Sequence, residues 1–404
     1  MINESILENR KFYKRNKILN IIRYNDNVSR NDLKKITSYS MTTILSVTEE
    51  LLKDNLIYEE DCNESRVGRK PSWLRINPAG GYFIGIEFNL NQMHCAMLNF
   101  NGETIFEHSL ENSKDINSEQ LVENICSLIE MAIPRAGGGK IFGVGIGVPG
   151  YFDLVSGIAL EYSMIPTWKN IHLKKIIEDR FRLSCHIENN VTVMAFAYKW
   201  LKSNEYMDDL IFISIRSGIR MVPVVNNELL LSNKGFAGQL GHIKLSNSNR
   251  LCTCGKRGCL NAEACDSAIK SKIIEGALIG KFKQLMELAE NDISKVGIST
   301  FVESVKLGHK DSLELLYETA GSLGYAIGML IDIFAPKKIV LHGKLAKTGD
   351  VFINAVSENV SKNSIRDNFK NLTISSSTFN DNIGALGAAA MVIQREFEFI
   401  KENI

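Results

Sequence analysis

Between Gly238 and Cys265 the chain carries three thiols and an imidazole near enough in sequence to meet at one point: His242, Cys252, Cys254 and Cys259. Gly255 and Gly258 let the backbone curl so that the sulfurs converge. Four N/S donors with no open position are what a structural zinc site uses. A C-x-C-G-x-x-G-C run ten residues after a Gly-His pair therefore constrains the local fold more than any other feature here. Reduced thiols without metal are the alternative reading. Cys62, Cys95, Cys126, Cys185 and Cys265 are scattered without disulfide-like spacing, which fits a reducing, cytoplasmic setting.

At 404 residues the chain is long enough for two or three packed cores, and 45% hydrophobic with 23% charged residues reads as a soluble globular protein. No apolar run reaches membrane-spanning length, and Met-Ile-Asn-Glu-Ser at the start lacks the charged-then-apolar order of a secretory signal. No membrane partner is expected. A net charge of +1 argues against the whole molecule being an electrostatic nucleic-acid binder. The charge is uneven, however: residues 1–78 hold 14 Lys/Arg against 11 Asp/Glu.

Within that segment Ile18, Leu19, Ile21 and Ile22 form a helical stripe that begins among the basic residues Arg10–Arg15. Ser29 caps a short second helix with Leu33 and Ile36 facing inward, and Thr37-Ser38-Tyr39 turns the chain. From Ser40 a third helix runs through Ile44, Val47, Leu51 and Leu52, with Thr42, Thr43 and Ser46 on its other face. Leu56–Tyr58 and Trp73–Ile76 alternate like the strands of a hairpin, and Arg66, Gly68-Arg69-Lys70-Pro71 lie at its tip. Three helices and a hairpin make a winged helix-turn-helix over residues 1–78, with Ser40, Thr42, Thr43 and Ser46 toward a DNA groove and Arg66, Arg69 and Lys70 toward phosphates. A three-helix protein-binding module is the bland alternative.

After Pro78-Ala-Gly-Gly81 the pattern becomes α/β. Strands are expected at 82–88, 93–100, 104–109, 141–148 and 184–187, with helices at 121–133 and 191–202. The theme repeats with strands at 210–215, 221–225, 228–230, 338–341 and 372–375 and helices at 313–334, 351–360 and from 383. Two βββαβα halves make lobe one of about 79–195 plus the C-terminal helix and lobe two of about 196–382, an architecture that closes over small molecules. Gly137-Gly138-Gly139-Lys140 is not a P-loop, because no Ser or Thr follows the lysine.

The Gly-x-x-Gly-His element, the cysteine run, Val148-Pro149-Gly150 with Asp153, Trp168 before an amphipathic helix, Ile187-Glu188-Asn189 and the Gly-Arg-Lys-Pro wing together resemble the ROK family. That family joins bacterial sugar kinases to repressors, such as those for xylose and N-acetylglucosamine, that add a winged helix-turn-helix to the same actin-like (ribonuclease H-like) fold. The resemblance covers nearly the full chain. It implies that His242 both ligates zinc and lies beside the sugar site.

The resemblance also shows what has been lost. ROK kinases carry their base as the Asp of Glu-Asn-Asp, but this chain reads Glu188-Asn189-Asn190, and an amide cannot take the proton. The first phosphate turn, D-x-G-x-T in such folds, is Glu87-Phe88-Asn89-Leu90-Asn91; the second, G-x-G-x-G, is Ser217-Gly218-Ile219-Arg220-Met221. A pseudokinase is expected, with a residual kinase and a zinc-stabilised scaffold as the alternatives. Sugar contacts would fall on Asn189, Asn190, Gln239, His242 and Asn261, where Gln239 and Asn261 replace the Glu of most relatives. Amides still hold a neutral sugar, whereas Arg216 and Arg220 would suit a sugar phosphate or sugar acid. The expectation is a zinc-containing regulator of carbohydrate use, binding an operator as a homodimer, or as a tetramer of paired dimers.

Overall fold

A computed structural model describes residues 2–25, 27–61, 72–113, 115–201, 209–230, 237–245 and 248–397, with side chains from Arg10 onward. The chain begins with α1 (Ile2–Tyr24), α2 (Arg30–Thr37), α3 (Met41–Lys53) and the antiparallel pair β1 (Ile57–Asp61) and β2 (Ser72–Ile76). Ser29 caps α2 by accepting from the Asp32 N–H while the Asp32 carboxylate accepts from the Ser29 N–H. The Ser29 hydroxyl holds the Asp32 carboxyl below its usual range. Ser40 caps α3 through the Thr43 N–H. Arg30 ties the module together, donating to Thr48 Oγ1 at 3.0 Å and pairing with Glu59.

Two expectations for this module need correction. Helix α1 starts at Ile2, well before the basic residues. Ile36 is exposed, because α2 buries Leu33 and Thr37, one turn apart, and the Thr37 hydroxyl donates to the Leu33 carbonyl at 2.7 Å. The wing tip at 62–71, with Arg66, Arg69 and Lys70, lies outside the described residues.

The chain continues with β3 (Tyr82–Phe88), β4 (Gln92–Asn99), β5 (Thr104–Glu111), α4 (Ser118–Ala132), β6 (Ile141–Val148), β7 (Tyr151–Asp153), β8 (Ile158–Glu161), β9 (Lys169–Ile171), α5 (Leu173–Phe181), β10 (Ser184–Asn189) and α6 (Asn190–Leu201). Next come β11 (Leu210–Ile215), β12 (Ile219–Val225), β13 (Glu228–Leu229), α7 (Asn261–Ala264), α8 (Asp266–Leu278), α9 (Lys283–Leu288), α10 (Ile298–Lys306) and α11 (Lys310–Phe334). The chain closes with β14 (Lys338–His342), α12 (Asp350–Lys362), α13 (Arg366–Lys370), β15 (Thr373–Ser376) and α14 (Ile383–Phe397). One compact unit holds residues 1–201 with 382–404, and a second holds 202–381. Helix α6 belongs whole to the first. No helix among the described residues is long and apolar enough to cross a membrane.

The first unit's sheet runs β10-β6-β3-β4-β5, antiparallel through β3, β4 and β5 and parallel from β3 to β10. Side chains alternate across it. Ile84, Ile86 and Val144 pack with Leu121, Ile125 and Ile129 of α4. Phe83 and Leu98 face the other way, onto Ala389 and Ile393 of α14 and onto Ile18, Leu19 and Ile22 of α1. The small antiparallel sheet β7-β8-β9 was not anticipated from sequence. In the second unit the order is β13-β12-β11-β14-β15, and Ile211, Ile213 and Leu341 pack with Ile269 of α8, Leu316 and Leu323 of α11 and Phe352 of α12.

The N-terminal module therefore shares its core with the first unit. Arg23, at the end of α1, fastens the joint: it donates to the carbonyls of Phe100 at 2.7 Å and Asn101 at 3.3 Å and lies over the Trp200 ring at 5.2 Å. Gly102, with φ of 85°, makes room, since a Cβ there would sit 2.4 Å from Trp200. Burial lowers the Arg23 pKa from its ordinary value. Replacing Arg23 by Ala removes two charge-assisted hydrogen bonds and a cation–π contact, a loss of about 2–4 kcal/mol. Thermal melts should show a lowered unfolding midpoint for Arg23→Ala. Lys11, whose side chain is 69% exposed beside Glu50, is the control: Lys11→Ala should melt like the parent.

Candidate functional site

The loop between Gly238 and α7 folds as the cysteine spacing requires. Cys252 accepts no turn by accident: its N–H donates to the Lys256 carbonyl at 2.8 Å, the Gly255 N–H returns to the Cys252 carbonyl at 2.9 Å, and Gly255 has φ of 84°. Gly258, with φ of 80°, passes so close to the Ser248 carbonyl that a Cβ would lie 2.5 Å from it. Isolated bridges Leu251–Arg257 and Lys244–Cys259 close the knuckle.

One donor atom each from His242, Cys252, Cys254 and Cys259 lies within 4.8 Å of every other. Cys254 and Cys259 sulfurs are 3.7 Å apart, as are the Cys252 sulfur and His242 Nδ1. A tetrahedron with metal–sulfur bonds of about 2.3 Å has edges of about 3.8 Å, so these separations fit one ion. The donor set fits too, because burial and the facing thiols push Cys259 up to about 12 without a cation, and converging thiolates need positive charge. Burial, then Lys256, holds His242 below its ordinary pKa. The cluster can therefore bind a metal.

Sequence reasoning missed what anchors this loop. Lys272, buried on α8, donates to Glu263 at 2.7 Å and Glu318 at 2.6 Å, and the Ser248 hydroxyl donates to the same Glu263. Arg250 grips both oxygens of Glu275, at 3.0 and 2.6 Å. These contacts span residues far apart in sequence, and nothing local signals them.

On α3, Thr42 and Ser46 are exposed one turn apart, with Leu45 (40% exposed) beside them. Ser40 and Thr43 hydroxyls pair at 2.9 Å as part of the cap. Leu45 is an addition to the candidate reading face. Its exposure follows from Ile44 and Val47 taking the buried side.

The effector candidates divide by unit. In the first, Asn189 is 1% exposed at the end of β10; its Oδ1 accepts from the Val191 N–H at 2.9 Å, and its Nδ2 is buried with no partner among the described residues. Asn190 opens α6 and donates to buried Glu87 at 3.2 Å. In the second, Gln239 and His242 bracket the short 3-10 turn that opens the metal loop. Asn261 Oδ1 accepts from the Ile219 N–H at 2.8 Å, and the side chain lies against Gly241. Arg220 donates to the Ala237 carbonyl at 2.7 Å. Arg216 shares an electrostatic cluster with Asp266, His342, Lys344 and Asp381.

In each of the two turns that the resemblance makes phosphate-binding, backbone N–H groups are taken by the chain's own side chains. After β3, the Asn89 side-chain oxygen accepts from the N–H groups of Asn91 at 2.8 Å and Gln92 at 3.1 Å. Between β11 and β12 the chain makes a tight hairpin in which the Arg216 N–H donates to the Gly218 carbonyl and the Ile219 N–H is taken by Asn261. Arg220 and Met221 lie within strand β12.

A sequence model described as the ROK family matches residues 83–395. The xylose repressor of Caldicellulosiruptor bescii is 29% identical over 95% of this chain and 96% of its own. Among solved structures, a ROK family transcriptional regulator, a homologue of the Escherichia coli MLC protein, superposes with a TM-score of 0.83 at 22% identity, covering 96% of this chain and 97% of that one. A ROK family glucokinase from Streptomyces griseus in complex with glucose and AMPPNP gives 0.68 at 21% identity, covering 77% and 99%. The fold is thus the N-terminal winged helix-turn-helix followed by the actin-like domain.

Asp266 tests the electrostatics of the second unit. Burial raises its pKa to about 6, against the opposing pull of Arg216 and Lys344, and its Oδ1 is buried with no hydrogen-bond partner among the described residues. An acid whose folded pKa is raised adds stability below its unfolded pKa and loses it as pH rises through the folded value. Asp266→Asn should therefore be more stable than the parent at pH 8, by up to about 3 kcal/mol, with the gain vanishing near pH 4. Denaturant titrations at both pH values measure it.

Proposed function

This chain belongs to the ROK family, and on that footing we propose that it is a sugar-responsive transcriptional repressor of carbohydrate-utilisation genes without kinase activity. The observation that carries the reading is the N-terminal module, whose Ser40-capped helix α3 presents Thr42 and Ser46 to solvent and precedes the family match. Ser40, Thr42, Thr43 and Ser46 are assigned to the groove, with Leu45 added, and Arg66, Arg69 and Lys70 of the wing to phosphates. One such module reads few base pairs, so the chain acts as a homodimer on a two-fold repeat, in the cytoplasm.

Three features support the absence of phosphoryl transfer. The residue in the place of the base is Asn190, and its amide is already directed at Glu87. The N–H groups of the first turn are spent on Asn89, and the Ile219 N–H of the second on Asn261. An electrostatic cradle with these donors internally engaged has less to offer phosphate. Asn190→Asp should not create ATP-dependent sugar phosphorylation, because it places a second carboxylate against Glu87 and leaves both turns occupied.

Effector contacts are assigned within each unit by itself: to Asn189 and Asn190 in the first, and to Gln239, His242 and the remaining amide protons of Asn261 in the second. The orphaned Asn189 Nδ2 supports a hydroxylated ligand, since a buried donor without a partner costs about 1–3 kcal/mol that such a ligand would recover. The xylose repressor among the relatives makes D-xylose the first candidate. At 100 times its dissociation constant a ligand adds about 2.7 kcal/mol to the folded state. D-Xylose should raise the melting midpoint and release operator DNA in a mobility-shift assay. A shift with sugar phosphates alone would instead bring Arg216 into the site, and no shift with either would remove the sugar-responsive reading.

We assign the metal as zinc, held by His242, Cys252, Cys254 and Cys259 in a closed structural site. Elemental analysis should find about one zinc per chain, and Cys259→Ser should lose it together with several degrees of melting midpoint. Metal retained in full by that variant would overturn the ligand set.

A further inference from the structure

Helix α1 is longer than the core it serves. Its buried apolar face is Ile18, Leu19, Ile21 and Ile22. Everything from Arg10 to Lys14 is exposed, including Tyr13 at 55%. This overhang carries four cations between Arg10 and Arg15, and they divide by face. Lys11 pairs with Glu50 at 2.9 Å and Arg15 with Asp54 at 2.8 Å, at the C-terminal end of α3. Arg10 and Lys14, one turn apart, have no carboxylate partner among the described residues. Lys14 lies over the Tyr39 ring at 5.7 Å. Tyr39 directly precedes Ser40, the cap of α3, so this flank of α1 reaches the end of the recognition helix that enters the groove.

We propose that Arg10, Tyr13 and Lys14 form a phosphate-binding strip on α1 that holds the DNA backbone flanking the groove read by α3. The inference rests on the repressor reading above. Charge complementarity names the occupant: two cations with no carboxylate partner among the described residues, a phenol between them in sequence that can donate to a phosphate oxygen, and a duplex whose phosphates border the groove. The pairing of Lys11 and Arg15 with acids is what separates the strip from general basicity. These contacts carry no sequence information, so they add affinity on every duplex equally.

The test is binding of the full-length, metal-loaded chain to 30-bp duplexes, both unselected and recovered from a random pool by the parent protein, across a salt series. Lys14→Ala should weaken binding several-fold on both duplexes and lower the slope of log affinity against log salt by about 1. Arg10→Ala combined with Lys14→Ala should lower it by about 2. Lys11→Ala, in the same turn, should leave the slope at the parent value. Melting midpoints of these exposed-site variants check that all are folded. A parent chain that binds with an undiminished slope in Lys14→Ala would overturn the strip and leave the repressor reading intact. A parent chain with no salt-dependent affinity for either duplex would overturn both.

Discussion

The rest of the structure depends on the core shared by α1 and the first unit's sheet. Phe83, Phe100, Phe142 and Phe397 stack and edge against one another at centroid separations of 4.9–6.3 Å, and Ile18, Leu19 and Ile22 close over that cluster. The reading head is therefore part of the unit's interior, with no flexible tether. Helix α6 makes the consequence concrete. It starts at Asn190, an effector candidate, and ends in the turn bearing Trp200, over which Arg23 lies. Its 12 residues span about 18 Å as one rigid element. For a ligand at Asn190 to act on α1 it would have to bind two positions of α6 with different affinity; one that contacts both equally shifts nothing.

The same economy supports the proposed absence of kinase activity. Deleting glycines alone would leave backbone N–H groups needing partners. Here asparagine side chains supply them, locally from Asn89 to Asn91 and Gln92, and across the second unit from Asn261 to Ile219. Asn190 belongs to this set, since its amide gives buried Glu87 a donor where an aspartate would give a like charge.

What the sequence disclosed was local. The metal ligands lie within eighteen residues and announce themselves by spacing; α3 and its cap follow from helical periodicity and one serine. The misses have one cause. Ile36 looks inward by hydrophobicity, yet an eight-residue helix has one narrow buried stripe, and Leu33 with Thr37 fill it. The hydrogen bond from the Ile219 N–H to the Asn261 side-chain oxygen, 42 residues later, was likewise not legible in the sequence. Lys272, which nothing in the sequence singled out, is buried between two glutamates from different elements. Each depends on a partner that only the tertiary fold supplies.

The arginines decide the character of the effector. Exchanging acids for amides at Asn190, Gln239 and Asn261 removes negative charge and would by itself invite an anion. The two cations that could complete that change are not equally available. Arg220 spends its guanidinium on the Ala237 carbonyl, holding the strand that leads into the metal loop, and Arg216 sits among Asp266 and Asp381 as well as Lys344. Asp381 in turn pairs with Lys347 at 3.4 Å, so these carboxylates are shared among several cations. The other candidate groups are amides and an imidazole, and it is their uncharged donors and acceptors that support the neutral polyhydroxyl ligand proposed above.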